Sequence, residues 1–231
     1  MIKYHGTPIT PIKIFKENMA NRNVLVSYAR LDDFQRAIKI CKKIMLDNGA
    51  FTFWKKKVAI NWNDYYKFVS DNYEKIDYFI IPDVIDGSEE ENDYLIDEYL
   101  KKYSHSDKGL PVWHIHESLE RLRKLIKIFS YICIGSSGKF STLGTRKWHK
   151  RMNEAMKIVC DEDGFPKVKI HMLRCLNPKI FTLYPFFSGD STNVARNHSK
   201  RTAETIIKGI EKYASPKKYI FKKDLMKLSG V

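Results

Sequence analysis

The sequence predicts a compact (β/α)8 barrel of the TIM type, a single α/β domain over residues 1–231. Three observations carry this expectation. Short apolar, β-rich runs alternate with helix-spaced segments, the order that builds a parallel sheet. The segments following those runs, LDNGAF, PDV, WHIHE, GSSG, HMLR and SGDS, are polar, glycine-bearing or acidic. A closed barrel gathers all such ends on one face, whereas an open sheet spreads them along an edge and uses only its switch point. Finally, no repeat, low-complexity tract or linker divides the chain.

Val24–Ser27 (VLVS) is the first clear strand, and DDFQRAIKICKK after it has helical spacing. Ile44–Leu46 is the second strand, ending at Asp47-Asn48-Gly49, and NWNDYYKFVSDNYEK reads as a helix with Asn63 as N-cap. Asp77–Ile81 is the third, closed by Pro82-Asp83 and followed by an acidic helix. Leu110–Ile115 is the fourth, with ESLERLRKLIKIF as its helix; Tyr131–Ile134 is the fifth, stopped by Gly135-Ser136-Ser137-Gly138, with a helix around WHKRMNEAMKIVC. Val168–Leu173 and Phe181–Phe187 give the sixth and seventh strands, a basic helix runs from about Ser199 to Tyr213, and Lys218–Phe221 is a candidate eighth.

Hydrophobic residues make up 43% of the chain, enough for a packed core. No run approaches the roughly 18 apolar residues of a membrane span, and MIKYHGTPITPIKIF lacks the apolar block of a signal peptide, so a cytoplasmic protein is expected. Cys41, Cys133, Cys160 and Cys175 stand singly without CxxC spacing, which points to reduced thiols rather than zinc ligands. The net charge of +14 favours a polyanionic partner. It is unevenly spread: residues 83–98 are acidic, while the chain from about 196 to 231 is basic.

Three acids, Asp47, Asp83 and Asp190, stand at strand ends. Any one alone reads equally well as a helix N-cap. Together they suit chemistry on a nucleobase glycoside: one carboxylate accepts the N1–H and N2–H₂ edge of guanine, one attacks the anomeric carbon, and one shuttles a proton to the departing base. Phe51, Phe53, Trp54 and Trp113 offer flat faces, and His114 and His116 lie two apart. No histidine is interleaved with the acids at ligand spacing, so neither metal nor cofactor is expected.

LDNGAF, PDVIDG, YICIGSSG and PFFSGDSTNVARN, in that order, resemble segments of the tRNA-guanine transglycosylase superfamily. The resemblance covers Ser27 to Asn197. It implies a (β/α)8 barrel that exchanges guanine for a 7-deazaguanine through a covalent ribosyl–Asp intermediate. Asp190 would then be the nucleophile, Asp83 the reader of the base edge, and Asp47 the proton shuttle and a helper in base recognition. Gly135 and Ser136 would present amides to the base carbonyl, His114 stands where the family uses Gln, and Phe51 lies beside the base. Arg196 would hold a backbone phosphate.

The chain departs from the tRNA enzymes in three ways. It lacks their C-terminal CxC and CxxC zinc ligands, it is far shorter, and Ala50 replaces a glycine of their loop. In this it is similar to bacteriophage DNA 7-deazaguanine transglycosylases, which place bases such as 7-cyano-7-deazaguanine in the phage genome and shield it from restriction. That resemblance implies double-stranded DNA as partner, the cytoplasm of an infected host as location, and a monomer rather than a dimer. Lys139, Arg146, Lys147, Lys200 and Arg201, with Arg196, are candidate phosphate contacts; Phe140 and Trp148 are candidate wedges for the gap a flipped base leaves. The residues alone leave open an RNA substrate, a base-excising N-glycosylase, and a basic accessory protein without catalysis.

Overall fold

The computed structural model describes residues 1–103 and 107–221 as one α/β domain. Its strands are β1 (Ile2–Gly6), β2 (Asn23–Ser27), β3 (Lys43–Asp47), β4 (Tyr78–Ile80), β5 (Gly109–Leu110), β6 (Val112–His114), β7 (Tyr131–Gly135), β8 (Lys169–Met172) and β9 (Ser188–Ser191). All pair in parallel, in the order β5-β4-β3-β2-β1-β9-β8-β7-β6. The two ends of that order are one stretch of chain broken at Pro111. Gly109-Leu110 pairs with β4 and Val112–His114 with β7, and the Pro111 carbonyl accepts from Cys133 N–H at 2.8 Å. Proline has no N–H for a ladder, so the stretch changes partners there, and the nine strands form a ring of eight staves.

Helices coat the outside, and the longer ones are capped as their sequences dictate. Ser88 forms a capping box with Glu91 ahead of Glu89–Lys102, Ser118 caps Leu119–Ile128, and Thr145 caps Arg146–Val159. The core accordingly has two compartments. Between ring and helices lies a large cluster that includes Phe34, Tyr65, Phe79, Trp113, Trp148, Met152 and Phe181. Inside the ring, Tyr4, Leu25, Met45, Ile80, Leu110, Val112, Tyr131 and Cys133 pack against one another.

Several expectations need correction. The first stave is β1, which the lysine and histidine in IKYHG conceal. Phe181–Phe187 is not a strand: the helix Pro178–Phe181 ends there and the chain turns, its aromatics buried because Phe181, Tyr184 and Phe186 pack under the helices. The strand is SGDS itself, poor in β-formers and held by partners on both sides, β1 (Ile2↔Ser188 to His5↔Ser191) and β8 (His171↔Ser188). Lys218–Phe221 is not a strand either; Tyr219 N–H bonds to Gly164 O at 2.8 Å. Asn61, not Asn63, caps Trp62–Asp71. The basic helix is present but shorter, Ala203–Glu211, and a separate short helix, Asn193–Asn197, precedes it; the basic stretch from 222 onward lies outside the described residues.

Gly189 admits the close approach that β9 requires. A Cβ there would lie 2.6 Å from Met1 Cε, 3.0 Å from Cys175 O and 3.1 Å from Met172 O. Gly189→Ala is therefore expected to cost about 1–3 kcal/mol, lowering the melting temperature by roughly 2–4 °C per kcal/mol. Thermal unfolding followed by circular dichroism measures this, and an unchanged midpoint would mean the backbone oxygens can retreat.

Candidate active site

A parallel ring sends every strand C-terminus to one mouth. Asp47 closes β3, Asp83 follows β4 by three residues, and Asp190 is the third residue of β9. Burial first, then the charges of Asp83 and Asp190, push the Asp47 carboxyl up to about 7, against hydrogen bonds from Gly49 N–H and the Ser27 side chain. That mutual repulsion is the mark of three acids sharing one site.

Each acid is held differently. The Asp47 carboxylate accepts from Gly49 N–H at 3.1 Å, in a turn whose Gly49 has φ of 81°. Asp83 Oδ1 accepts from Asn48 Nδ2 at 2.6 Å, and His114 Nε2 lies 2.9 Å from Asp83 Oδ2 but outside hydrogen-bond alignment. Each oxygen of Asp83 retains a lone pair for a ligand. Asp190 Oδ1 accepts from Arg174 N–H at 2.8 Å and from His171 Nε2 at 3.2 Å. Among the described residues both bonds fall on Oδ1, and none falls on Oδ2.

His114 is buried, which alone would lower its pKa, but the hydrogen-bonding and charge of Asp83, with Glu117 behind, raise it. Nε2 faces Asp83 Oδ2 at 2.9 Å, and among the described residues Nδ1 has no hydrogen-bond partner. Gly135 makes room for the ring, since a Cβ there would sit 3.2 Å from His114 Nδ1. The loop bearing Gly135 and Ser136 is fixed by Trp148 Nε1 donating to Ser136 Oγ at 2.9 Å and by His116 Nδ1 bonding to Ser137 Oγ at 2.6 Å. Behind His114, Glu117 accepts its backbone N–H at 2.8 Å and pairs with fully buried Arg121 at 2.6 Å. Asn92 Nδ2, on the neighbouring helix, also donates to Glu117 at 3.2 Å.

Over the mouth, the Arg174 guanidinium lies 5.2 Å from the centre of the exposed Phe51 ring. β3 and β8, which carry these residues, stand four places apart around the ring in either direction, so the contact crosses the opening. Arg174 has φ of 60°, a conformation that non-glycine residues seldom adopt and that often marks functional sites.

The charge around the rim is polarised. Lys139, Arg146 and Lys147 follow β7, Arg174 follows β8, and Arg196, Lys200 and Arg201 follow β9; all lie on three neighbouring staves. Opposite β9 stands β4, followed by Asp86, Glu89, Glu90 and Glu91. The wedge candidates fail: Phe140 is buried beneath Lys139 and Lys147, each 5.4 Å from its ring, and Trp148 is wholly buried. His5 points away from the mouth, among Glu211, Arg22 and Lys3, and burial pushes it down to about 4. Among the described residues no group of three or more His, Cys, Asp or Glu is arranged to hold a metal, no helix is long and apolar enough to cross a membrane, and the four cysteines are free.

Sequence reasoning missed Asn48, Glu117, Arg121, His171, Arg174 and Ser188. Asn48 and Arg174 sit inside segments it singled out, LDNGAF and HMLR, and Glu117 and Arg121 show the i,i+4 spacing of an ion pair. His171 and Ser188 also sit inside such segments, HMLR and SGDS, but their partners are on other strands and no local signal names them.

The raised Asp47 pKa sets a sign for stability. The unfolded carboxyl ionises near pH 4 and the folded one near 7, so the cost of ionising it in the fold builds between these values and is complete above them. Asp47→Asn removes that cost. Discounting the full shift for water at the mouth leaves about 2 kcal/mol. The variant is expected to melt roughly 5 °C above the parent at pH 8 and close to it at pH 4, as differential scanning calorimetry at the two pH values would register.

No protein-family model matches the chain, and no curated protein or solved structure matches it either.

Proposed function

We propose that this protein is a transglycosylase that exchanges guanine in double-stranded DNA for a 7-deazaguanine base such as 7-cyano-7-deazaguanine. The observation that carries the reading is the mouth itself: three carboxylates in one electrostatic neighbourhood, each prepared differently. Asp190 Oδ2 attacks C1′ of a flipped nucleotide. The C1′–N9 bond breaks, its electron pair leaves with the purine, and neutral Asp47 supplies the proton. The incoming deazaguanine returns that balance: its N9–H proton passes to the Asp47 carboxylate, N9 attacks C1′, and Asp190 departs as a carboxylate.

Asp83 accepts the N1–H and N2–H₂ edge that guanine and deazaguanine share, with Asn48 fixing its plane. His114, whose Nδ1 has no partner among the described residues, and the Gly135-Ser136 backbone face the base carbonyl. Phe51 supplies a stacking face. The basic arc after β7, β8 and β9 suits a phosphate backbone and offsets the few kcal/mol that base flipping costs. An exchange of this kind alters guanine in the genome itself, and so would hide it from restriction enzymes.

The test is base exchange. Protein, duplex DNA with labelled guanine and excess 7-cyano-7-deazaguanine are incubated, and the DNA is digested to nucleosides for mass spectrometry. The modified deoxynucleoside is expected with the parent and absent with Asp190→Ala, which still binds DNA. Guanine release without incorporation would make the protein an N-glycosylase. Exchange in transfer RNA alone would move the substrate to RNA, and neither reaction would leave a basic binding protein. Arg146→Ser combined with Arg201→Ser is expected to flatten the slope of log affinity against log salt by about 1.8, at ~0.9 for each phosphate no longer neutralised.

A further inference from the structure

Through the mostly apolar interior of the ring runs a line of hydrogen-bonding side chains that ends at Asp190. Tyr131 Oη lies 2.5 Å from Ser188 Oγ, Ser188 Oγ lies 2.5 Å from His171 Nδ1, and His171 Nε2 lies 3.2 Å from Asp190 Oδ1. All four residues are buried, and Ser188 and His171 are wholly so. Tyr4 meets the His171 ring edge-on at 5.9 Å, which fixes its plane.

Taking Asp190 as a carboxylate and His171 as a neutral ring fixes the proton positions along this line. A carboxylate accepts only, so His171 Nε2 carries the proton; Nδ1 of the neutral ring then accepts, so Ser188 donates to it; Ser188 keeps a lone pair, which takes the Tyr131 hydroxyl. Every donor points toward Asp190. A Ser-His-Asp hydrolase is not an alternative, because Ser188 is sealed inside the wall and bonds to Nδ1 rather than to the nitrogen nearer the mouth.

We propose that His171, aligned by Ser188 and Tyr131, is the positioning residue that makes Asp190 an effective nucleophile and then an effective leaving group. The inference rests on the reading of Asp190 as the nucleophile. With Oδ1 pinned by His171 and the Arg174 amide, Oδ2 is presented to C1′. In the ester, Oδ1 is the carbonyl oxygen and keeps both donors. When the new base attacks C1′, the C1′–Oδ2 bond breaks and its electron pair spreads onto Oδ1, where His171 N–H is already aimed. The donor therefore acts on the chemical steps and not on substrate binding.

Steady-state kinetics of the exchange reaction on duplex DNA separates the two. His171→Leu is expected to lower kcat by ~100-fold, the scale of losing one preorganised donor, with KM for the base and DNA affinity unchanged. His171→Gln, whose amide reaches the Nε2 position, is expected to recover most of that loss. Ser188→Ala, a smaller change that frees the tautomer, is expected to lower kcat by roughly 10-fold. It decides the matter if His171→Leu does not melt as a folded protein. A folded His171→Leu that keeps kcat within about threefold of the parent, or a Ser188→Ala indistinguishable from it when His171→Leu does not fold, overturns the inference while the transglycosylase reading stands. A parent that exchanges no base in DNA or RNA overturns both.

Discussion

The break at Pro111 is the constraint from which the site follows. A parallel sheet of eight staves has two open edges until one stave pairs in both directions. Here Gly109-Leu110 serves β4 and Val112–His114 serves β7, with the proline carbonyl still accepting from Cys133. Closure turns a row of strand ends into a circle, and the circle brings β9 within reach of β3 and β4. Without it Asp190 and Asp83 would stand on distant parts of an edge. With it they are near enough to raise the pKa of Asp47.

Crowding acids in this way is unfavourable, and the neighbourhood is built to bear it. Asp83 has an amide and an imidazole against it, Asp190 has a backbone N–H and an imidazole, and Asp47 is left to hold its proton near neutral pH. Three chemically identical side chains thus meet three different sets of partners. On the proposed function, the raised pKa suits Asp47 to the part of the acid. The support is layered as well: Glu117, Arg121 and Asn92 tie the loop after β6 to two helices, so that His114 is set from behind.

The sequence made the architecture legible where β-branched and aromatic residues announce a strand, as in NVLVS, KIMLD and YICIG, and where a polar segment follows. It concealed β1 and β9 because a strand paired on both sides needs no intrinsic propensity. SGDS is held by its neighbours, and Gly189 is there for the approach of backbone oxygens rather than for a turn. The same displacement moved Asp190 from a loop into the wall. The three acids could be named from their positions after apolar runs, but their partners could not. His171, Ser188 and Tyr131 meet through the registers of β7, β8 and β9, which no local pattern encodes. The aromatic wedges failed for a related reason: Phe140 and Trp148 belong to the layer between ring and helices, where a helix's apolar face must go.

The contact between Phe51 and Arg174 bears on how a nucleotide reaches a carboxylate that is only 4% exposed. On the proposed function, a sugar approaching Asp190 must part this pair, since it crosses the mouth between opposite staves. An exposed cation–π contact is worth about 0.5–1 kcal/mol, so the barrier it sets is small. The two halves are also well matched to what replaces it, because a freed guanidinium sits in the arc of cations where phosphate would lie, and a freed phenyl ring faces a flat base. Asp190 need not move in the process, since it is the Arg174 backbone, not its side chain, that bonds to Oδ1. The side chain can thus change partners while the amide keeps the nucleophile in place, which lets one residue both cover the empty site and serve the occupied one.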